Sequence, residues 1–224
     1  MAQLIRLLYF VIGAFAAITL HEYVKALVSH NLGDPLPRAR GRLSLNPLNH
    51  FEPLGFACMV FTGYGWGKPV PISVTHYKDR KKGMILTYLS PSVANLLVGI
   101  VLSFIAGWVN VFIILPNAGA AALLPEAVMP SGVTAWEIVH GLLRVTASSN
   151  VALALFNFIP VYPLDGAKLL ALKLRAEQQM KAIRYEKIFQ VILLVLMITG
   201  VLWFILSPIQ SVFAPPVRFL NFLR

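Results

Sequence analysis

Four apolar stretches, 4–28, 84–115, 136–159 and 188–205, are each long enough to cross the hydrocarbon core of a bilayer as a helix. Lipid offers backbone N–H and C=O groups no water, so spans of this kind must close their hydrogen bonds internally, and helices do that within one segment. The chain has 224 residues, 58% hydrophobic and only 12% charged; a soluble domain carries roughly 25% charged residues. The expectation is an all-α membrane protein, a single membrane domain over 1–224 with about four transmembrane helices. Ala14-Phe15-Ala16 resembles a leader cleavage site, but Arg6 alone supplies a positive n-region, so the first stretch is read as a retained span. The second is longer than a minimal span and is expected to tilt or to break at Ser90-Pro91, where proline removes a helix hydrogen bond.

A fifth apolar stretch behaves differently. Pro53, Gly55, Gly63 and Gly65 interrupt it, and Pro47, Gly67, Pro69 and Pro71 flank it. Continuous helix is not expected there. Irregular backbone survives at membrane depth only against protein or lining a cavity, so a re-entrant hairpin over about 46–71 is the reading. Lys and Arg cluster between the first two spans (Lys25, Arg38, Arg40, Arg42, Lys68, Lys78, Arg80–Lys82) and between the last two (Lys168 to Lys187), whereas 116–135 holds none. The positive-inside rule then places both basic loops in the cytoplasm and both termini outside. The basic runs are read as orientation signals and as attraction to anionic membrane lipids rather than as a nucleic-acid surface, despite the net charge of +10. The single cysteine, Cys58, implies no internal disulfide. The loop 116–135 is expected along the outer interface, 166–187 as a continuation of the third span that then lies at the interface, and the tail after Pro208 as an interfacial anchor.

Chemistry concentrates where the first span leaves the membrane core. From 4 to 20 a helix rises about 25 Å, which puts His21 and Glu22 toward the cytoplasmic part of the bilayer. Ionisable groups at that depth are expensive and mark functional sites. A His-Glu pair followed by a second His, four residues after the first, is a zinc-protease pattern: two ligands on one helix face and a general base beside it. Here the second ligand position holds Lys25, about 40° around the helix from His21. His30 falls on the opposite face, and His50, His76 and His140 are read as structural or interfacial. Asp165, in Pro163-Leu164-Asp165-Gly166, ends the third span on the same side as Glu22 and is the candidate partner from another segment.

Several longer segments now matter together. They are Asn46-Pro47-Leu48-Asn49-His50-Phe51-Glu52-Pro53, Gly63-Tyr64-Gly65-Trp66-Gly67-Lys68-Pro69-Val70-Pro71, Ser90-Pro91-Ser92-Val93-Ala94-Asn95 and Phe156-Asn157-Phe158-Ile159-Pro160-Val161-Tyr162-Pro163-Leu164-Asp165-Gly166. With His21-Glu22, and in this order, they resemble the site-2 protease family of intramembrane zinc metalloproteases, in its compact bacterial branch. Glu52 and Tyr162 depart from the family's usual Asp and Pro. The resemblance implies the site-2 protease core fold, His21 and Asp165 as zinc ligands, Glu22 as the base, a substrate-orienting role for Asn157, and hydrolysis of a transmembrane helix in the membrane plane. It also implies a substrate- or helix-binding hairpin carrying Asn46, Pro47, Gly63, Gly65 and Trp66.

Lys25 is the departure that decides the reading. As a zinc ligand it would have to be neutral, which costs about 4.6 kcal/mol at pH 7. As an ammonium it can instead sit between Glu22 and Asp165, two carboxylates that would otherwise be buried without a counter-charge. The expectation is a non-catalytic homologue that holds no cofactor and binds transmembrane helices, of a substrate or a partner subunit, or serves as a subunit of a membrane complex. The alternative is an active zinc protease that cuts transmembrane substrates with His21, Asp165 and a ligand from elsewhere.

Overall fold

The computed structural model describes residues 2–114 and 134–213. Among them there are only helices and connecting segments, with no strand. The expected interfacial loop 116–135 lies almost wholly outside the described residues, as does the tail from 214 onward. Helix α1 runs Ala2–Asn31, α2 Leu36–Ala39, α3 Pro53–Thr62 and α4 Arg80–Val109, the last extended by a π-helical turn at Asn110–Ile114. After the undescribed segment come α5 (Ala135–Asn157), α6 (Asp165–Ala171), α7 (Ala176–Arg184), α8 (Glu186–Ile198) and α9 (Val201–Phe213).

Three helical segments are long and apolar enough to cross a membrane: Leu7–Asn31, Arg80–Ile114 and Ala135–Asn157. These three pack on one another and form the frame of the molecule. Their ends are set by local chemistry. Asp79 caps α4, its Oδ1 accepting from Lys82 N at 3.0 Å, and that bond holds the Asp79 carboxyl below its ordinary range. Thr134 and Glu137 close a reciprocal capping box at the start of α5. Small residues let the helices approach closely, as membrane helix contacts require. A Cβ at Gly13 would meet Ser149 Oγ of α5 at 3.0 Å, and one at Gly99 of α4 would meet Ala147 O at 3.1 Å.

The structure decides one alternative and changes three expectations. Helix α4 takes no break at Ser90-Pro91 and passes through Pro91 whole, with α1 and α5 packed along it. The fifth apolar stretch is helical for ten residues, because Pro53 starts a helix that Glu52 caps by accepting from Gly55 N. The last apolar stretch is not one straight span but two helices meeting at 73°. Gly200, at φ 75°, adopts the left-handed conformation that ends α8. Finally, α6 does not continue α5. The segment 158–164, with Pro160 and Pro163, turns the chain before Asp165 begins a new helix.

The stretch 53–71 folds back on itself. Gly63, at φ 83°, ends α3 in the left-handed region, its N–H donating to Met59 O at 3.0 Å. The chain then returns along α3 so closely that a Cβ at Gly65 would collide with Gly55 O, and one at Gly55 with Trp66 O. Buried Cys58 and Tyr64 of this hairpin pack with Phe156, Leu164, Leu193, Met197, Leu202 and Leu206. Met59 joins a second cluster with Ala14, Ala17, Ile18 and Leu153. The hairpin is therefore wedged between α1, α5 and the bent α8–α9 pair. Gly65→Ala is expected to destabilise the protein by about 1–3 kcal/mol, since the added methyl meets backbone rather than a movable side chain. Thermal unfolding in detergent beside wild type measures it, and an unchanged midpoint would contradict the wedge.

Candidate functional site

Residues 21 to 25 of α1 face the start of α6 across the frame. His21, Glu22, Lys25 and Asp165 are all buried. The Lys25 ammonium lies 2.8 Å from Asp165 Oδ2 and 3.5 Å from Glu22 Oε1. His21 Nε2 lies 3.1 Å from the same Asp165 oxygen. One carboxylate oxygen thus gathers both α1 side chains. The other, Oδ1, is 3.7 Å from Lys168 Nζ, which also stands 5.0 Å over the Tyr88 ring. Asp165 reaches this place because Gly166 lies against the Phe158 and Ile159 carbonyls, where any side chain would clash.

The far side of His21 is held by amides that the sequence reading did not assign to the site. His21 Nδ1 is 3.1 Å from Asn95 Oδ1. The Asn95 amide nitrogen donates to Ala17 O at 3.0 Å and to Asn150 Oδ1 at 2.8 Å. Asn150 in turn donates to Thr146 O at 2.8 Å. With its nitrogen so engaged, Asn95 presents its oxygen to the ring, so His21 donates through Nδ1. Nε2 then points at Asp165, and that contact is a hydrogen bond only when Nε2 is protonated as well. The sequence signal for Asn95 and Asn150 was available: each is an amide in the middle of an apolar span, where a polar group needs a partner.

The hairpin borders the site through its returning segment, 64–71. A Cβ at Gly67 would meet Glu22 Cγ at 3.1 Å and His50 O at 3.1 Å. Lys68 N donates to His50 O at 2.8 Å, tying this segment to the 3₁₀ turn Pro47–His50. Buried His50 spends Nε2 on Ser44 O at 2.7 Å. Asn46 is exposed and caps that turn by accepting from Leu48 N at 3.1 Å. Gly65 is buried and Trp66 half-buried beside it. Asn157, the last residue of α5, is buried and donates to Leu153 O at 3.0 Å; no described hydrogen bond joins it to His21, Glu22, Lys25 or Asp165.

The sequence profile of peptidase family M50 matches residues 5–200. The chain belongs to peptidase family M50. It is also 27% identical over 203 residues to a protein of Bacillus subtilis (strain 168) described as a putative zinc metalloprotease, YwhC, a match covering 91% of this chain and 86% of that one. No solved structure matches. Together with the apolar helices, membership makes this an integral membrane protein of the metalloprotease type.

The family implies zinc, and the donor set does not fit it. A catalytic zinc takes three protein ligands and keeps one position open. Among the described residues no group of three or more His, Cys, Asp or Glu side chains is placed to hold a metal. Two donors converge, His21 Nε2 and Asp165 Oδ2. Beside them stands an ammonium, which donates hydrogen bonds and accepts none. That ammonium, on Lys25, lies 2.8 Å from the same Asp165 oxygen that faces His21.

This arrangement makes Lys25 a structural keystone. Lys25→Met would leave Asp165 and Glu22 buried with no ammonium between them, and is expected to destabilise the protein by about 3–5 kcal/mol. In the Lys25→Met/Asp165→Asn double variant part of the loss should return, because one uncompensated charge is gone. Unfolding midpoints of wild type, both single variants and the double variant test this; additive losses would sink the pairing.

Proposed function

We propose that this chain is a non-catalytic member of family M50 that binds a transmembrane helix of a partner subunit within its membrane complex. The observation that carries the reading is the 2.8 Å contact between Lys25 Nζ and Asp165 Oδ2. Zinc and the ammonium compete for the same carboxylate oxygen, and the ammonium brings its charge at no entropic cost of capture. His21, Glu22, Asp165 and Asn157 then serve the fold. The rim of the hairpin at Asn46, Pro47, Gly63 and Trp66 is the proposed surface for the partner helix, and Gly65, buried against α3, supports that rim from within. The competing reading, an active zinc protease, draws on one observation: Glu22 Oε2 is buried without a hydrogen-bond partner, as a base awaiting a water would be.

Zinc content and proteolysis separate the two. Purified wild type is expected to carry no stoichiometric zinc and to leave a reporter transmembrane substrate intact. Lys25→His restores the third ligand and is expected to bind one zinc per chain. Stoichiometric zinc in wild type, with cleavage abolished by Glu22→Gln, would overturn the proposal.

Orientation follows from the basic loops, with both termini outside and the site toward the cytoplasm of a bacterial cell. In a Cys58→Ser background, a cysteine at Lys78 is expected to react with an impermeant maleimide only after spheroplasts are lysed, and one at Asn117 without lysis. The reverse pattern would invert the topology.

A further inference from the structure

A second site stands apart from the buried ion pairs, on the side where α1 ends. A cavity of about 610 Å³ opens between the segment after α2 and the returning segment of the hairpin. Arg40, Arg42 and Lys68 line it, with Asn49, Leu48 and Pro69. Among the described residues none of these three cations has a carboxylate within ion-pairing distance. The nearby buried acid, Asp34, is already satisfied by Ser29 Oγ at 2.9 Å, Leu36 N at 3.0 Å and Ser73 N at 2.7 Å.

Arg42 is what turns basic residues into a pocket. Its side chain is 8% exposed, and its guanidinium donates to Asn49 O and to Pro69 O, the latter at 3.5 Å. Those carbonyls belong to the two walls, so Arg42 bridges them and is held in one orientation. A guanidinium has more N–H donors than these two bonds consume. Desolvating a cation against carbonyls alone is costly, and an anion in the cavity removes that cost. The planar fork of arginine, flanked by two exposed cations, suits the tetrahedral oxygens of a phosphate. Leu48, 72% exposed on the rim, offers an apolar path for an acyl chain beside the charged floor.

We propose that this pocket binds a phosphate group, the chemistry shared by an anionic phospholipid headgroup and a soluble phosphate. Bound there, the phosphate clamps the segment after α2 to the returning segment of the hairpin, and so to the backbone at Gly67 that lies on Glu22. The site is independent of whether zinc binds.

The test uses the full chain in neutral detergent and native mass spectrometry. It is titrated with phosphatidylglycerol and with phosphatidylcholine of the same acyl chains. Phosphatidylglycerol is expected to bind at least about tenfold more tightly, and Arg40→Gln/Lys68→Gln to lose that preference. Both residues are exposed and unpaired in ion bridges, so the double variant is expected to keep the wild-type melting temperature. Arg40→Lys/Lys68→Arg should retain the preference. Inorganic phosphate supplies the second arm: displacement of the lipid assigns a soluble source as well, and failure to displace it assigns the headgroup. Equal binding of the two lipids, or a preference unchanged in the Gln variant, would overturn the proposal.

Discussion

The contact between Lys25 and Asp165 is the constraint around which the rest is arranged. A buried ion pair is stable only when both partners are fixed and their remaining groups are satisfied. Fixing Lys25 is simple, because it rides on a long helix held by two others. Fixing Asp165 is harder. It requires α5 to stop at Asn157, the chain to turn through two prolines, and a new helix to begin with the carboxylate already facing α1. Gly166 follows because a side chain there would collide with the turn just completed. Motif residues that look catalytic in sequence therefore have a second physical reason to be what they are: they deliver one acid to one place.

A column of amides carries the same order through the frame. Ala17 O, Asn95, Asn150 and Thr146 O form a continuous chain of hydrogen bonds linking α1, α4 and α5. Between membrane helices the hydrophobic effect supplies little drive, and such a bond is worth roughly 0.6 kcal/mol, up to about 1.7. Small contributions matter here for orientation more than for total stability. The column fixes the His21 ring, holding Nδ1 at Asn95 Oδ1 and aiming Nε2 at Asp165. Helix packing and site geometry are one network: the residue that locks three helices together also aims the histidine.

The all-helical membrane class was legible because lipid imposes it on any chain with long apolar runs. Lys25 between two carboxylates was legible for a similar reason, since two buried acids on one side demand a cation. What local pattern could not supply was direction change. The 73° bend at Gly200 lies inside an unbroken apolar run, and hydropathy carries no record of backbone handedness. Pro91 is the opposite case: the helix, packed on both sides, stays whole where propensity alone favours a break. The hairpin was recognisable by its glycines, yet Pro53 and Glu52 make a proper helix start, and that local chemistry prevailed over the surrounding breakers. Asn95 and Asn150 escaped because amides carry no charge to stand out against an apolar background.

Charge balance gives the site a reason to hold both acids beside Lys25. A zinc ion would present two positive charges to Glu22 and Asp165. Lys25 supplies one at 2.8 Å from Asp165 Oδ2, and Lys168 supplies another at 3.7 Å from Oδ1. The two ammonium groups approach the acid from opposite oxygens and together match the charge of the metal without its directional bonds. Without Asp165, Lys25 would keep only Glu22 at 3.5 Å and Lys168 would lose its carboxylate, so the acid serves the charge balance of the buried cluster. His21, Glu22 and Asp165 therefore have work in the fold that is separate from any catalysis. Position 25 is the informative one, because the Asp165 oxygen that faces His21 already accepts from an ammonium.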